Sequence, residues 1–212
     1  MFAESPLFAL NQLDEECTFH VGVLPVELTF SQNQFDELWA MHTDEYHEIQ
    51  MPGGLVKTPR WQQAFGADYH YTGKVNKALP IPPLLEPIFE WTKQSIDPRL
   101  NGILLNWYEG KFKHYIGKHR DSTINMIAGA PIVTISLGEE RIFRLRPWKW
   151  TGYRDFPASS GTVFVMPFET NLRWTHEVPH FEKYQGRRIS VTLRAFETGI
   201  LPATQEKSEP EP

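Results

Sequence analysis

The chain has 212 residues, 41% of them hydrophobic and 22% charged, a length and balance that suit one soluble domain with a sizeable core. A net charge of −5 argues against strong, indiscriminate nucleic-acid binding, although it leaves room for a local basic groove. The single cysteine, Cys17, excludes an intrachain disulfide and points to a reducing compartment. With no signal-peptide pattern and no apolar run that spans a bilayer, the expectation is a cytoplasmic monomer, nuclear if the source is a eukaryote, with no membrane partner.

In chain order, the stretch up to about Thr29 mixes short apolar runs with Asp14, Glu15 and Glu16 and shows weak periodicity. Ser31 followed by Gln34 reads as a capping box, predicting a helix through Phe35, Leu38 and Trp39. A loop with Met51, Pro52, Gly53 and Gly54 follows, then an aromatic stretch from Trp61 to Tyr71. Tyr69 and Tyr71 are two apart, so in a strand they share a face. Pro80-Ile81-Pro82-Pro83 leads into a second amphipathic helix over about 84–94, where Pro87 is tolerable only in the first turn. From Asn101 the period changes. Segments 103–108, 132–137, 141–145, 162–166 and 189–196 are short β-branched or aromatic runs, mostly bounded by Gly, Pro or polar residues. Two helices followed by a run of strands predict an α+β fold in which N-terminal helices buttress a double-stranded β-helix, or jelly-roll, core.

His119-Arg120-Asp121 is an H-x-D triplet, and His176 lies downstream. At a strand end, residues two apart point to one side, so one short segment can give a metal both ligands. Two imidazoles and a carboxylate on one face of a metal leave several positions open, as in non-haem Fe(II) oxygenases. Alone, such a triplet is common by chance and reads as a solvated pair. The segment Arg188-Ile189-Ser190-Val191-Thr192-Leu193-Arg194 changes this. As a strand it sets Arg188, Ser190, Thr192 and Arg194 on one face and three aliphatic residues on the other. Two like charges facing inward need an anion, and a dicarboxylate fits. One basic cluster, Lys111, Lys113, Lys118 and Arg120, lies just before and within the triplet, and Arg141, Arg144, Arg146 and Lys149 form a second. Taken alone these are solvated faces; beside a metal they become candidates for phosphate contacts.

The sequence resembles the AlkB family of Fe(II)/2-oxoglutarate dioxygenases over about 59–196, and most of all its DNA-repair members. The shared elements are Asn106-Trp107-Tyr108, Ile116-Gly117-Lys118-His119-Arg120-Asp121, Gly129-Ala130-Pro131-Ile132, Ser136-Leu137-Gly138, the His176 region and Arg188 through Arg194. The resemblance implies that His119, Asp121 and His176 hold Fe(II). It implies that Arg188, Asn106 and Tyr108 bind the distal carboxylate of 2-oxoglutarate and Arg194 the carboxylate beside its keto group. Ser190 stands where many members have Asn, and its hydroxyl can still donate to the co-substrate. With O2 as second co-substrate, the implied activity is oxidative demethylation of N-alkylated nucleic-acid bases, releasing formaldehyde and succinate. The alternative is a hydroxylase or demethylase of a small molecule or protein side chain on the same scaffold.

In repair members the target base is flipped and stacked on an aromatic ring. Tyr71 falls at that position with Tyr69 beside it, and core packing is their other reading. Met51 falls on the loop where an apolar finger fills the gap left in the duplex, or it is simply part of a turn. Ser122 replaces the acidic residue with which close repair relatives reach the base's exocyclic amine. The resulting organisation is one domain: an N-terminal extension, helices and substrate lid over 1–100, a catalytic core over 101–198, and a disordered tail over 199–212.

Overall fold

A computed structural model of the chain describes residues 7–51, 53–71 and 74–197, so the expected tail over 199–212 lies outside the described residues. The first strands are β1 (Phe8–Gln12), β2 (Thr18–Val23), β3 (Glu48–Met51), β4 (Gly54–Lys57), β5 (Trp61–Phe65), β6 (Tyr69–Tyr71) and β7 (Lys74–Asn76). They continue as β8 (Gly102–Glu109), β9 (Ile116–His119), β10 (Ile132–Gly138) and β11 (Arg141–Pro147). The last are β12 (Arg154–Ala158), β13 (Thr162–Met166), β14 (Trp174–Val178) and β15 (Arg187–Arg194). The α-helices are α1 (Gln32–Trp39), α2 (Glu86–Ser95) and α3 (Phe168–Arg173).

A seven-stranded sheet, in the order β1-β2-β13-β10-β15-β8-β5, faces a four-stranded sheet in the order β12-β11-β14-β9. All of these pairings are antiparallel. Strand alternation gives the larger sheet two distinct faces. One face carries Ile103, Leu105, Trp107, Val133, Ile135, Val163, Ile189, Val191 and Leu193 and packs against Phe35 and Leu38 of α1 and Ile88 of α2. The other contributes Leu104, Tyr108, Phe164 and Met166 to a second cluster with Phe143, Leu145, Trp174 and Val178 of the smaller sheet. The architecture is thus the α+β jelly roll buttressed by N-terminal helices that the sequence predicts.

Both predicted helices form. Ser31 Oγ accepts from the Gln34 N–H at 3.4 Å, and Gln34 Oε1 accepts from the Ser31 N–H at 3.0 Å, so the capping box is closed. The Trp107 indole donates to Leu38 O at 3.0 Å and docks the end of α1 onto the sheet. Pro87 sits in the first turn of α2.

The N-terminal stretch differs from its featureless reading. It forms the β1–β2 hairpin, and β2 pairs with β13. The acidic run that hides the strand period builds the turn: Asp14 Oδ1 accepts from the N–H groups of Glu16 and Cys17 at 3.0 and 2.7 Å. Because β5 also pairs with β8, the core sheet extends across the expected boundary at residue 101. No helix among the described residues is long and apolar enough to cross a membrane.

Candidate active site

The inner face of the larger sheet is polar at one end. There Asn106 and Tyr108 of β8, Thr134 of β10, and Ser190, Thr192 and Arg194 of β15 line a cavity of about 680 Å³. The smaller sheet closes it with Phe143 of β11, His119 of β9 and His176 and Val178 of β14. His119 and His176 stand directly opposite each other in the β9–β14 pairing, which is how residues 57 apart in sequence meet.

Three ligand atoms, one each from His119, Asp121 and His176, lie within 4.8 Å of one another. His119 Nε2 is 3.5 Å and His176 Nε2 3.6 Å from Asp121 Oδ1. His119 Nδ1 lies 2.8 Å from Gly117 O, an acceptor only, so Nδ1 carries the proton and Nε2 keeps its lone pair for a metal. Asp121 lies just past β9 and is fixed through its backbone: Asn171 of α3 accepts from its N–H at 2.9 Å and donates to its carbonyl at 3.1 Å. Burial alone would raise the Asp121 pKa, but Arg194 and the two histidines hold it well below the usual carboxylate range. Burial, with His119 nearby, pushes His176 down to about 3 and keeps it a neutral ligand.

Arg188 and Arg194 of β15 are both buried, at 0% and 3% exposure, but their situations differ. Arg194 donates from Nε and Nη2 to Asp121 Oδ2 at 2.9 and 2.5 Å, leaving Oδ1 toward the histidines. Arg194 is therefore met by a ligand carboxylate, where the sequence reading set it against an external anion. Arg188 donates Nε to Ser136 Oγ at 2.9 Å and packs 5.1 Å from the Tyr108 ring, while Nη1 and Nη2 have no partner. A buried guanidinium with two unsatisfied nitrogens calls for an anion. These features fit Fe(II) at the three ligand atoms and a carboxylate co-substrate against Arg188.

Of the other predicted residues, Tyr69 and Ser122 line the cavity. The Tyr69 ring lies 4.6 Å under the Arg194 guanidinium. Tyr71 and Met51 have backbones in the β6–β7 and β3–β4 hairpins, where they pair with Lys74 and Gly54, and their side chains lie outside the described residues. Sequence reasoning missed Arg60 and Asn171, and it singled out Ser136 without giving it a role. Arg60 lines the cavity and donates to Asn106 Oδ1 at 2.7 Å and Gln62 Oε1 at 3.1 Å. The Thr-Pro-Arg run just before β5 carries no signal by which its role could be read.

The second basic cluster is corrected. Arg141 is fully buried, 3.0 Å from Glu139 and over the Tyr184 ring. Arg144 grips Asp155 with two bonds of 2.6 and 2.7 Å, and Arg146 donates to Glu177 at 2.7 Å. Local carboxylates neutralise all three, so they form no free phosphate strip. At the cavity itself Lys57, Lys118 and Arg120 are exposed cations among the lining residues.

The profile of the 2OG-Fe(II) oxygenase superfamily matches residues 26–194. The chain belongs to that superfamily. It is 28% identical over 157 residues to the DNA oxidative demethylase ALKBH2 of Homo sapiens, covering 69% of this chain and 60% of that protein. With the Bos taurus protein of the same name it shares 27% over 168 residues, covering 74% and 59%. The chain thus spans about three-fifths of the length of these curated relatives. Among solved structures, OsALKBH1 superposes with a TM-score of 0.56 at 15% identity, covering 88% of this chain and 100% of that one. A 2OG-Fe(II) oxygenase family oxidoreductase from Burkholderia pseudomallei gives 0.52 at 17% identity, covering 83% and 84%. Both likenesses concern the fold.

Proposed function

We propose that this oxygenase removes N-alkyl groups from nucleic-acid bases, using Fe(II), 2-oxoglutarate and O2. The observation that carries the chemistry is Arg188, whose two unpartnered terminal nitrogens sit buried beside Tyr108, on the face of the larger sheet that looks toward the smaller sheet and its two histidines. His119, Asp121 and His176 hold the metal; Arg188 and Tyr108 take the distal carboxylate of 2-oxoglutarate. Asn106 and Ser190 offer further polar contacts to that co-substrate. Arg194 occupies Asp121 Oδ2, which leaves Oδ1 for a metal, and would lend its charge to the carboxylate beside the keto group. Iron with 2-oxoglutarate and O2 supplies oxidation of a bound C–H bond, with succinate and CO2 as by-products. The protein's part is to desolvate the site, orient the methyl group and keep His176 neutral.

Nucleic acid is favoured over a small molecule because the cavity opens among exposed Lys57, Lys118 and Arg120, which suit phosphates. Beside them the β3–β4 hairpin exposes Leu55 and Val56, an apolar edge near the cavity mouth. The mammalian relatives it resembles are named DNA oxidative demethylases. Tyr69 lines the cavity, and Met51 stands at the tip of the β3–β4 hairpin, where it pairs with Gly54. The test is incubation with Fe(II), 2-oxoglutarate and methylated single- and double-stranded oligonucleotides, following succinate and base mass. Methyl loss matching succinate is expected. Succinate without methyl loss from any oligonucleotide removes the substrate assignment and leaves the chemistry standing, which would turn attention to small-molecule or protein substrates.

A further inference from the structure

The polar groups around the metal-ligand triad are biased toward donors, and that bias selects among bases. Among the described lining residues Lys57, Arg60 and Lys118 are cations, Arg194 is paired with Asp121, the one lining carboxylate, and Arg120 turns its guanidinium to Leu172 O and the Trp148 ring. Asp121 has no oxygen to spare for a base, since Oδ2 is held by Arg194 and Oδ1 faces the two histidines. Beside it, Ser122 Oγ accepts from the Ile124 N–H at 3.3 Å, which leaves the hydroxyl proton to donate. Arg60 fixes a further positive charge in the wall and engages the acceptor oxygens of Asn106 and Gln62.

We infer that the cavity takes a neutral N3-methylated pyrimidine-2,4-dione, a thymine- or uracil-type base, in preference to the cationic bases N3-methylcytosine and N1-methyladenine. This rests on the dealkylation proposed above and narrows its substrate. Methylation of cytosine at N3 or adenine at N1 leaves the ring positively charged, with an exocyclic amine that needs an acceptor. Next to Arg60, in a partly desolvated pocket, that charge is opposed and the amine meets no spare carboxylate. The methylated dione is uncharged and presents two carbonyl oxygens to donors.

Bond cleavage points the same way. Hydroxylation of the methyl group gives N–CH2OH; its hydroxyl proton leaves, the C=O of formaldehyde forms, and the C–N electron pair returns to the ring. In a cationic base that pair neutralises the ring. In the dione it makes an imide anion spread over both carbonyl oxygens, which N3 then quenches by taking up the proton. Donors and positive charge at those oxygens stabilise the anion as it develops. The balance is methylated base, 2-oxoglutarate and O2 giving N–H base, formaldehyde, succinate and CO2.

The experiment uses the full chain and three single-stranded oligonucleotides identical except for one N3-methylthymine, N3-methylcytosine or N1-methyladenine. Two quantities are read: kcat/KM from methyl mass loss, and Kd from fluorescence anisotropy with Mn(II) and 2-oxoglutarate. The N3-methylthymine strand is expected to be favoured about tenfold or more in both. Ser122→Glu is expected to invert the preference toward N3-methylcytosine, and Arg60→Gln to shrink it. A wild-type ratio at or below one overturns the inference and leaves dealkylation intact. Succinate formation with methyl loss from none of the three removes the dealkylation reading itself, and this inference with it.

Discussion

The two faces of β15 are equally buried and opposite in purpose. Toward the helices it presents Ile189, Val191 and Leu193, each 0% exposed, and such burial stabilises the fold by roughly 1.5–3 kcal/mol per side chain. Toward the smaller sheet it presents Arg188, Ser190, Thr192 and Arg194, also buried. On that face Arg194 finds Asp121, but Arg188 keeps two unpaired nitrogens, which costs stability. One strand therefore carries both the apolar surface that holds the domain together and the strain that makes it a binding site.

Breaking the polar face at its centre has the largest effect. Asp121→Ala removes a ligand oxygen and leaves Arg194 buried without its carboxylate; succinate formation and Fe(II) binding by calorimetry are both expected to vanish. Retained turnover would disprove the metal assignment. Arg188→Met comes next. The apparent affinity for 2-oxoglutarate should fall about 100-fold, as for loss of a buried charge partner. The co-substrate-free variant should nevertheless melt at or above the wild-type temperature, because a buried unpaired charge has gone.

Ile189→Ala, one position along, should do the reverse. It is expected to cost about 2–5 kcal/mol in urea unfolding, with the KM for 2-oxoglutarate unchanged. A smaller effect sharpens the contrast with a buried polar group that is fully satisfied. His114 Nδ1 accepts from the Glu109 N–H at 3.1 Å, so Nε2 carries the proton toward Tyr46 Oη at 2.9 Å. Burial pushes its pKa from 6.5 down to about 4. A depressed folded-state value means this stability is present above pH 6.5 and lost as pH falls toward 4, to a total of about 3 kcal/mol. Urea unfolding across that window should show the loss in wild type and a flatter profile in His114→Asn.

What the sequence disclosed followed the regularity of each element. The capping box at Ser31 and the alternation of β15 are local patterns, and both appear as read. The β1–β2 hairpin was hidden because Asp14, Glu15 and Glu16, which form its turn, dilute the strand period on either side. Charge pairing was illegible for a different reason. Arg144 with Asp155 and Arg194 with Asp121 are contacts made by strand register and sheet facing, which spacing along the chain does not encode. Asn171 escaped notice because it acts on the backbone of Asp121 from a six-residue helix 50 positions away.

The most direct test titrates 2-oxoglutarate into anaerobic, Fe(II)-loaded protein while following the visible metal-to-co-substrate charge-transfer band. Saturation at one equivalent is expected for wild type, a shift to about 100-fold higher concentration for Arg188→Met, and no band for Asp121→Ala. A wild-type protein that develops no band, or an Arg188→Met variant that saturates alongside it, would contradict the assignment of β15's polar face as the co-substrate site.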